Sequence, residues 1–305
     1  MKWWRKGKQG VATAVADKEG QGAIREGEAD LASEVAATAE PGQDTSPESL
    51  NQKKTPTLKK QASLKQQPEE GSKAFVAPRP VPEGPLMEVK EVVRTFQVGG
   101  KPLHVLKEIH MQVQHQQLVM LRGRSGSGKT TLLNMLGGLD QPTKGEIWFN
   151  GMPFHKLSDN KRTVVRRQDM GFIFQAFALM PLLSAYENVE LSLRMAKVPK
   201  AQWKPRVTEV MELVGLAKRM HHRPFELSGG EQQRVAIAKA IAHRPRLILA
   251  DEPTAELDSN MSAQVMSVFR NIIETEGVSI CMTTHDPTIL EVADHVYEMV
   301  DGRFV

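Results

Sequence analysis

The alternation of apolar and polar positions begins at Leu86. Residues Leu86–Val98 run in an approximately two-residue period and predict a strand, as do Val105–Val113. Leu118–Leu121 is a short, wholly apolar run leading into glycines, which predicts a strand buried on both faces. Beyond it the pattern predicts a helix over Lys129–Leu136 and strands over Glu146–Asn150 and Gly171–Gln175. Helical periods follow at Ala185–Met195, Lys204–Val214 and Glu231–Ala242. Then come a strand over Leu247–Asp251, a helix over Ser262–Glu274, a strand over Ser279–Thr284, a helix over Thr288–Val292 and a last strand near Val296–Met299. Strands that alternate with helices imply an α/β fold, with a parallel sheet covered on both faces. No internal repeat is present, so one such domain is expected.

Residues 1–85 have a different texture. Trp3, Trp4 and Phe75 are their only large aromatics, and Ala, Gly, Glu, Gln, Lys and Pro dominate. Such a stretch buries too little apolar surface to offset its ordering entropy, so a disordered tail is expected. Its charge is blocky: residues 11–50 hold nine acidic and two basic side chains, and residues 51–67 hold five lysines and no acid. The basic start with Trp3 and Trp4 could touch anionic headgroups, or the tail could simply be solvated. Pro78, Pro80, Pro82 and Pro85 form a stiff spacer into the folded part. Basic residues at the start are not followed by an apolar stretch, so no signal peptide is expected. No apolar run reaches the ~20 residues that cross a bilayer, so any membrane path must come from another chain. The net charge of +4 is mild and forms no basic stripe, so no nucleic-acid partner is expected. With Cys281 as the sole cysteine, an intrachain disulfide is ruled out.

The chemistry starts after the buried strand. Gly123-Arg-Ser-Gly-Ser-Gly-Lys129-Thr130 fits the phosphate-loop pattern in full, between a strand and a helix. Gly123, Gly126 and Gly128 let the backbone wrap an anion, and N–H groups of Ser125, Ser127 and Thr131 lie along the same turn. Lys129 is expected to reach the outer phosphates of a nucleotide and the Thr130 hydroxyl to ligate Mg²⁺. The strand Leu247–Asp251 delivers Asp251 to its carboxyl end, where open α/β sheets bind ligands, as a second Mg²⁺ contact. Glu252 follows and is placed to polarise an attacking water. Lys129 and Asp251 are 122 residues apart, so a sizeable helical insertion must lie between them. That insertion ends in Leu227-Ser228-Gly229-Gly230-Glu231-Gln232-Gln233-Arg234, where Ser228 and two glycines precede a helix and make a second anion-binding terminus.

This last phrase resembles the signature motif of the ABC ATPase family. The resemblance covers about Leu86 to Val305. It implies a P-loop NTPase fold with a RecA-like parallel sheet core, an antiparallel β subdomain, and a helical subdomain inserted at about 178–243. It also implies head-to-tail homodimers that hydrolyse ATP with Mg²⁺, each signature motif closing over the nucleotide held by the partner's phosphate loop. Gln175 then resembles the glutamine that contacts Mg²⁺ and senses a membrane partner. Asp258 resembles the aspartate of the loop that crosses the dimer interface, and His285 the histidine that hydrogen-bonds the γ-phosphate. Phe96 stands where the family has an aromatic that stacks on adenine, although a Phe there is equally suited to the core.

Leu136-Gly-Gly-Leu-Asp140, Gly171-Phe-Ile-Phe-Gln175 and Ala250-Asp-Glu-Pro-Thr254 are most similar to the branch containing macrolide exporters (MacB), lipoprotein-release ATPases (LolD) and the cell-division ATPase FtsE. Ala255-Glu256 departs from that branch, which often has Gly-Asn there. The expected role is an ATPase at the cytoplasmic face of the membrane, powering export or extraction through a separate polytopic permease. An FtsE-like role, transmitting force without a substrate, fits the same residues. Met180-Pro181-Leu182-Leu183 is either core or part of a groove for the permease.

Overall fold

The computed structural model describes residues 83–305. The tail expected over 1–85 therefore lies outside the described residues, apart from its last three.

Four strands form an antiparallel sheet. They are β1 (Met87–Val98), β2 (Lys101–Val113), β4 (Lys144–Phe149) and β5 (Met152–Pro153), in the order β2-β1-β4-β5. The other six make the second sheet: β3 (Leu118–Arg122), β6 (Met170–Ile173), β7 (Leu247–Ala250), β8 (Ser279–Thr284), β9 (His295–Val300) and β10 (Arg303–Phe304). Their order is β10-β9-β3-β8-β7-β6, parallel throughout except at the β10 edge. Chain order reverses around β3, so the crevice beyond its carboxyl end is the switch point where such sheets bind ligands.

The strictly two-residue alternation of side chains sorts the parallel strands onto two cores. Leu118, Met120, Ile248, Ala250, Ile280 and Met282 face the helices α3 (Ala185–Met195), α4 (Trp203–Leu213), α5 (Gly229–Ile241) and α6 (Ser259–Glu276). Val119, Leu121, Leu247, Leu249 and Cys281 face α1 (Lys129–Leu136) and the antiparallel sheet, meeting Leu132, Leu136, Ile147 and Phe149. Both faces are covered, which is why these strands read as unbroken apolar runs. Close packing also sets one glycine: a Cβ on Gly171 in β6 would stand 2.5 Å from the Ala240 carbonyl oxygen of α5.

Within the helical layer, α4 is tied to the ends of α5 and α6 by a buried arginine. Arg206 of α4 is 6% exposed; it forms a two-pronged pair with Glu276 at the end of α6, at 2.8 Å and 2.8 Å. The same guanidinium donates to the Ile241 and Ala242 carbonyls at 2.9 Å each, which satisfies the open C-terminus of α5.

Several elements differ from expectation. A helix α2 (Asp159–Asp169) is present that the pattern does not predict, because only Arg162 and Val165 of its residues are buried. The strand expected to reach Gln175 ends at Ile173, and Phe174 and Gln175 turn outwards. The segment Pro287–Val292 is a 3₁₀ turn, started by Asp286, whose carboxylate accepts the Thr288 N–H. Met180, Pro181 and Leu182 are exposed and not core.

Candidate functional site

The phosphate loop leaves β3 at Gly123 and enters α1 at Lys129. Gly128 occupies the N-cap with φ 111°, a left-handed conformation that a residue with a side chain adopts only under strain. The first intrahelical bond runs from the Leu132 N–H to the Gly128 carbonyl, at 2.9 Å. The N–H groups of Lys129, Thr130 and Thr131 precede it, so helix geometry leaves them without an intrahelical acceptor. No acidic side chain lies in the first turn of α1 to compete with an anion. The Lys129 ammonium is folded into the loop, donating to the Gly123 carbonyl at 2.7 Å and the Arg124 carbonyl at 3.1 Å. Ser125 and Gly126 form an exposed tip, whereas the buried Ser127 hydroxyl has no partner. An anion-sized cradle with an enclosed ammonium and an unsatisfied hydroxyl fits the phosphates of a nucleotide.

The carboxyl ends of β7 and β8 stand beside this loop. The Thr130 hydroxyl donates to Asp251 Oδ1 at 3.1 Å, and the Thr283 hydroxyl donates to the same oxygen at 2.7 Å. Thr283 also accepts the Glu252 N–H at 2.8 Å. Glu252 has φ 46°, a costly conformation for a non-glycine residue that turns its carboxylate away from the strand. That carboxylate meets His285 at the end of β8, with Oε2 3.1 Å from Nδ1. Glu252, Thr254, Ala255, Leu257 and Thr284–Pro287 line a cavity of about 290 Å³. One hydrogen-bonded chain thus joins Thr130, Asp251, Thr283, Glu252 and His285 through the backbone and side chain of Glu252. Among the described residues no three His, Cys, Asp or Glu side chains form a metal cage. Mg²⁺ does not require one: it keeps waters and takes one or two carboxylates together with phosphate oxygens, and the paired Thr130 and Asp251 oxygens suit it.

Gln175 lies outside that chain. It is exposed, and its Nε2 donates to Glu256 Oε1 at 3.4 Å.

Ser228 begins α5 as its N-cap. Its hydroxyl accepts the Glu231 N–H at 3.3 Å, and the Glu231 carboxylate accepts the Ser228 N–H at 2.9 Å. The Ser228 N–H holds the Glu231 carboxyl below its usual range against the cost of burial, helped by the Arg219 and Arg234 guanidinium groups. A Cβ on Gly230 would stand 2.6 Å from Met261 Sδ of α6, and one on Gly229 would touch Leu257 and Phe177. Asp258 caps α6 by accepting the Met261 N–H at 2.9 Å. The start of α5 therefore packs against the start of α6, and Ser228 and Asp258 both serve as helix caps.

Phe96 belongs to neither apolar core. It lies in β1 opposite Leu103 and is partly exposed, with the Arg94 guanidinium 4.2 Å from its ring centre. Thr283, Glu256 and Arg94 are the contacts that sequence reasoning missed. Thr283 carried a signal: a hydroxyl near the end of a strand buried at every position.

A phosphate loop on the central strand of a parallel sheet, with threonine and two carboxylates at the neighbouring strand ends, makes this a P-loop nucleoside triphosphatase. A family model described as ABC transporter matches residues 106–255. The lipoprotein-releasing system ATP-binding protein LolD of Saccharophagus degradans is 40% identical over 218 residues, covering 72% of this chain and 96% of LolD. The macrolide export ATP-binding/permease protein MacB of Wolinella succinogenes is 42% identical over 219 residues, of which the chain spans 34% of the MacB length. The dimeric, post-hydrolysis structure of the ATP-binding cassette MJ0796 bound to ADP and Pi superposes with a TM-score of 0.66 at 36% identity, over 72% of this chain and 96% of that one. The chain belongs to the ABC transporter family, as an ATP-binding and ATP-hydrolysing subunit similar to LolD and to the cassette of MacB.

Proposed function

We propose that two copies of this chain assemble head to tail and bind two ATP molecules between the Lys129 loop of one copy and the Ser228–Gly230 turn of the other. The likeness to the dimeric cassette MJ0796 supports the pairing of two copies, and the hydrogen-bonded chain from Thr130 through Asp251 and Thr283 to Glu252 and His285 supports the hydrolytic site. Gly123–Thr131 bind the phosphates through N–H groups and the Lys129 ammonium, and Phe96 stacks on the base. Mg²⁺ when bound neutralises phosphate charge, with Thr130, Asp251 and Gln175 as its protein contacts. Glu252 orients the attacking water, and His285 holds the terminal phosphate and the Glu252 carboxylate in register. Ser228 and Gly230 of the partner add N–H donors from the start of α5, next to Asp258 at the shared boundary.

Closure and reopening of the dimer transmit force to a polytopic permease at the cytoplasmic face of the membrane, driving export or extraction. The helical segment at about 178–243, with Met180 and Leu182 exposed a few residues after Gln175 in the chain, is the part that meets the permease. Glu252→Gln preserves shape and removes the carboxylate. With MgATP this variant should elute as a stable dimer by size-exclusion with light scattering, and turn over at least about a hundredfold more slowly. Robust turnover by the variant removes Glu252 from its role.

A further inference from the structure

We propose that Arg94, fixed by Asp140, is a positioning residue that holds the Phe96 ring as the platform for the nucleotide base. The proposal rests on the reading of Phe96 as the base-stacking residue. A phenylalanine has no hydroxyl, so no hydrogen bond orients its ring, and the hairpin that carries it is open: Val98 and Leu103 are 60% and 52% exposed. The Arg94 guanidinium supplies the missing restraint. It covers one ring face at 4.2 Å, where the ring's negative quadrupole attracts a cation, and so leaves the other face for a base. The guanidinium is held in turn, because its Nε donates to Asp140 Oδ2 at 2.8 Å. Asp140 is oriented through Oδ1, which accepts the Gln141 N–H at 2.8 Å.

The segment carrying Asp140 makes this more than a surface ion pair. It leaves the end of α1, the helix that the phosphate loop opens, and folds back so that the Leu139 N–H reaches the Asn134 carbonyl at 2.8 Å. It then grips β1 on both sides of Arg94. The Thr143 N–H donates to the Val93 carbonyl at 2.8 Å, and the Thr143 hydroxyl accepts the Thr95 N–H at 3.1 Å. From the opposite side, β2 packs on the loop itself: Leu106 Cδ2 and the Val105 carbonyl lie 2.8 Å and 3.2 Å from the position a Gly128 Cβ would take. Thr95 and His104 close the hairpin at 2.9 Å between Oγ1 and Nδ1. The phosphate cradle and the Phe96 ring are therefore joined rigidly through α1, Asp140 and Arg94. An arginine suits the place better than a lysine, because a planar guanidinium can lie flat on a ring while its Nε donates sideways.

Calorimetric titration of the full chain with MgADP and with magnesium pyrophosphate separates the base from the phosphates. Arg94→Gln should weaken MgADP binding about fivefold, the scale of a partly exposed cation–π contact, and leave pyrophosphate within about twofold. Asp140→Asn should show the same selectivity with a smaller loss, and Arg94→Lys should recover part of it. Phe96→Ala should also weaken MgADP alone, and adding Arg94→Gln to Phe96→Ala should cost little more, since the two act as one unit. An Arg94→Gln chain that binds both ligands as the parent does, or loses both equally, overturns the proposal. Unchanged MgADP binding by Phe96→Ala overturns the stacking reading itself, and the proposal with it.

Discussion

Replacing Thr283 by Val keeps the shape of a fully buried side chain and removes one oxygen. That oxygen donates to Asp251 at 2.7 Å and accepts the Glu252 N–H at 2.8 Å. Loss of a hydrogen bond to a charged group costs about 1.5–3 kcal/mol, and an unsatisfied buried N–H costs about 1–3 kcal/mol. The two losses share one site and do not add fully, so about 2–4 kcal/mol is expected. In a folded part of this size each kcal/mol moves the thermal midpoint by about 2–4 °C, so the midpoint should fall by about 5–15 °C. Thr283→Ser keeps the oxygen and deletes a methyl, at about 1 kcal/mol. Calorimetric melting of both variants, paired with ATPase assays over a Mg²⁺ series, reads stability and site geometry together. The Val variant should also need more Mg²⁺ for half-maximal rate, because Asp251 loses the donor that sets its orientation. A Val variant that melts with the parent, at unchanged Mg²⁺ dependence, refutes the idea that Thr283 organises the two carboxylates.

Three further outcomes follow from the geometry. Arg206→Ala leaves the Glu276 carboxylate only the longer Arg244 contact at 3.5 Å and uncaps α5, so it should destabilise in urea melts by somewhat less than the about 3–5 kcal/mol of a fully stranded buried charge. Glu276→Ala should cost less still, because Arg206 keeps Glu209 at 3.0 Å and its two carbonyls, and Arg206→Met with Glu276→Leu should recover much of the loss. Burial works against charge on Asp294, yet the Arg270 guanidinium and the Leu118 N–H hold its carboxyl below the ordinary 3.8. A depressed carboxyl stabilises the fold above its unfolded value and loses that contribution as pH falls through the folded one, so Asp294→Asn should flatten the decline of stability below about pH 4. The Cys281 thiol, buried and pushed up to about 12, should resist thiol reagents at pH 8 until the protein is unfolded.

Much of the parallel core was legible because burial on both faces leaves an unmistakable apolar run. The strand Ser279–Thr284 and the helices Lys129–Leu136 and Ala185–Met195 have the bounds expected. Elements that lack an apolar stripe were invisible. Helix α2 is almost wholly polar, and β5 and β10 are two residues each, too short for any period. The phosphate loop was legible because its chemistry is local, with glycines, lysine and threonine in one unbroken turn. What binds the site together was not, since it depends on which distant side chains share an oxygen. Thr283 meets Asp251 from the next strand, and Arg94 meets Asp140 from the far end of α1. The extra carboxylate Glu256 was visible as a departure, but its contact with Gln175 is set by two turns whose shapes no local pattern encodes.

The central claim is that each ATP site is shared between two chains, and complementation tests it most directly. Lys129→Ala disables the phosphate loop, Ser228→Arg blocks the partner-facing turn, and each homodimer should be inactive. In a head-to-tail mixed dimer one of the two sites combines an intact loop with an intact turn. Equal mixing should therefore restore about a quarter of the parent turnover, from half the dimers with one site each. A mixture no more active than its separate components would contradict the shared site.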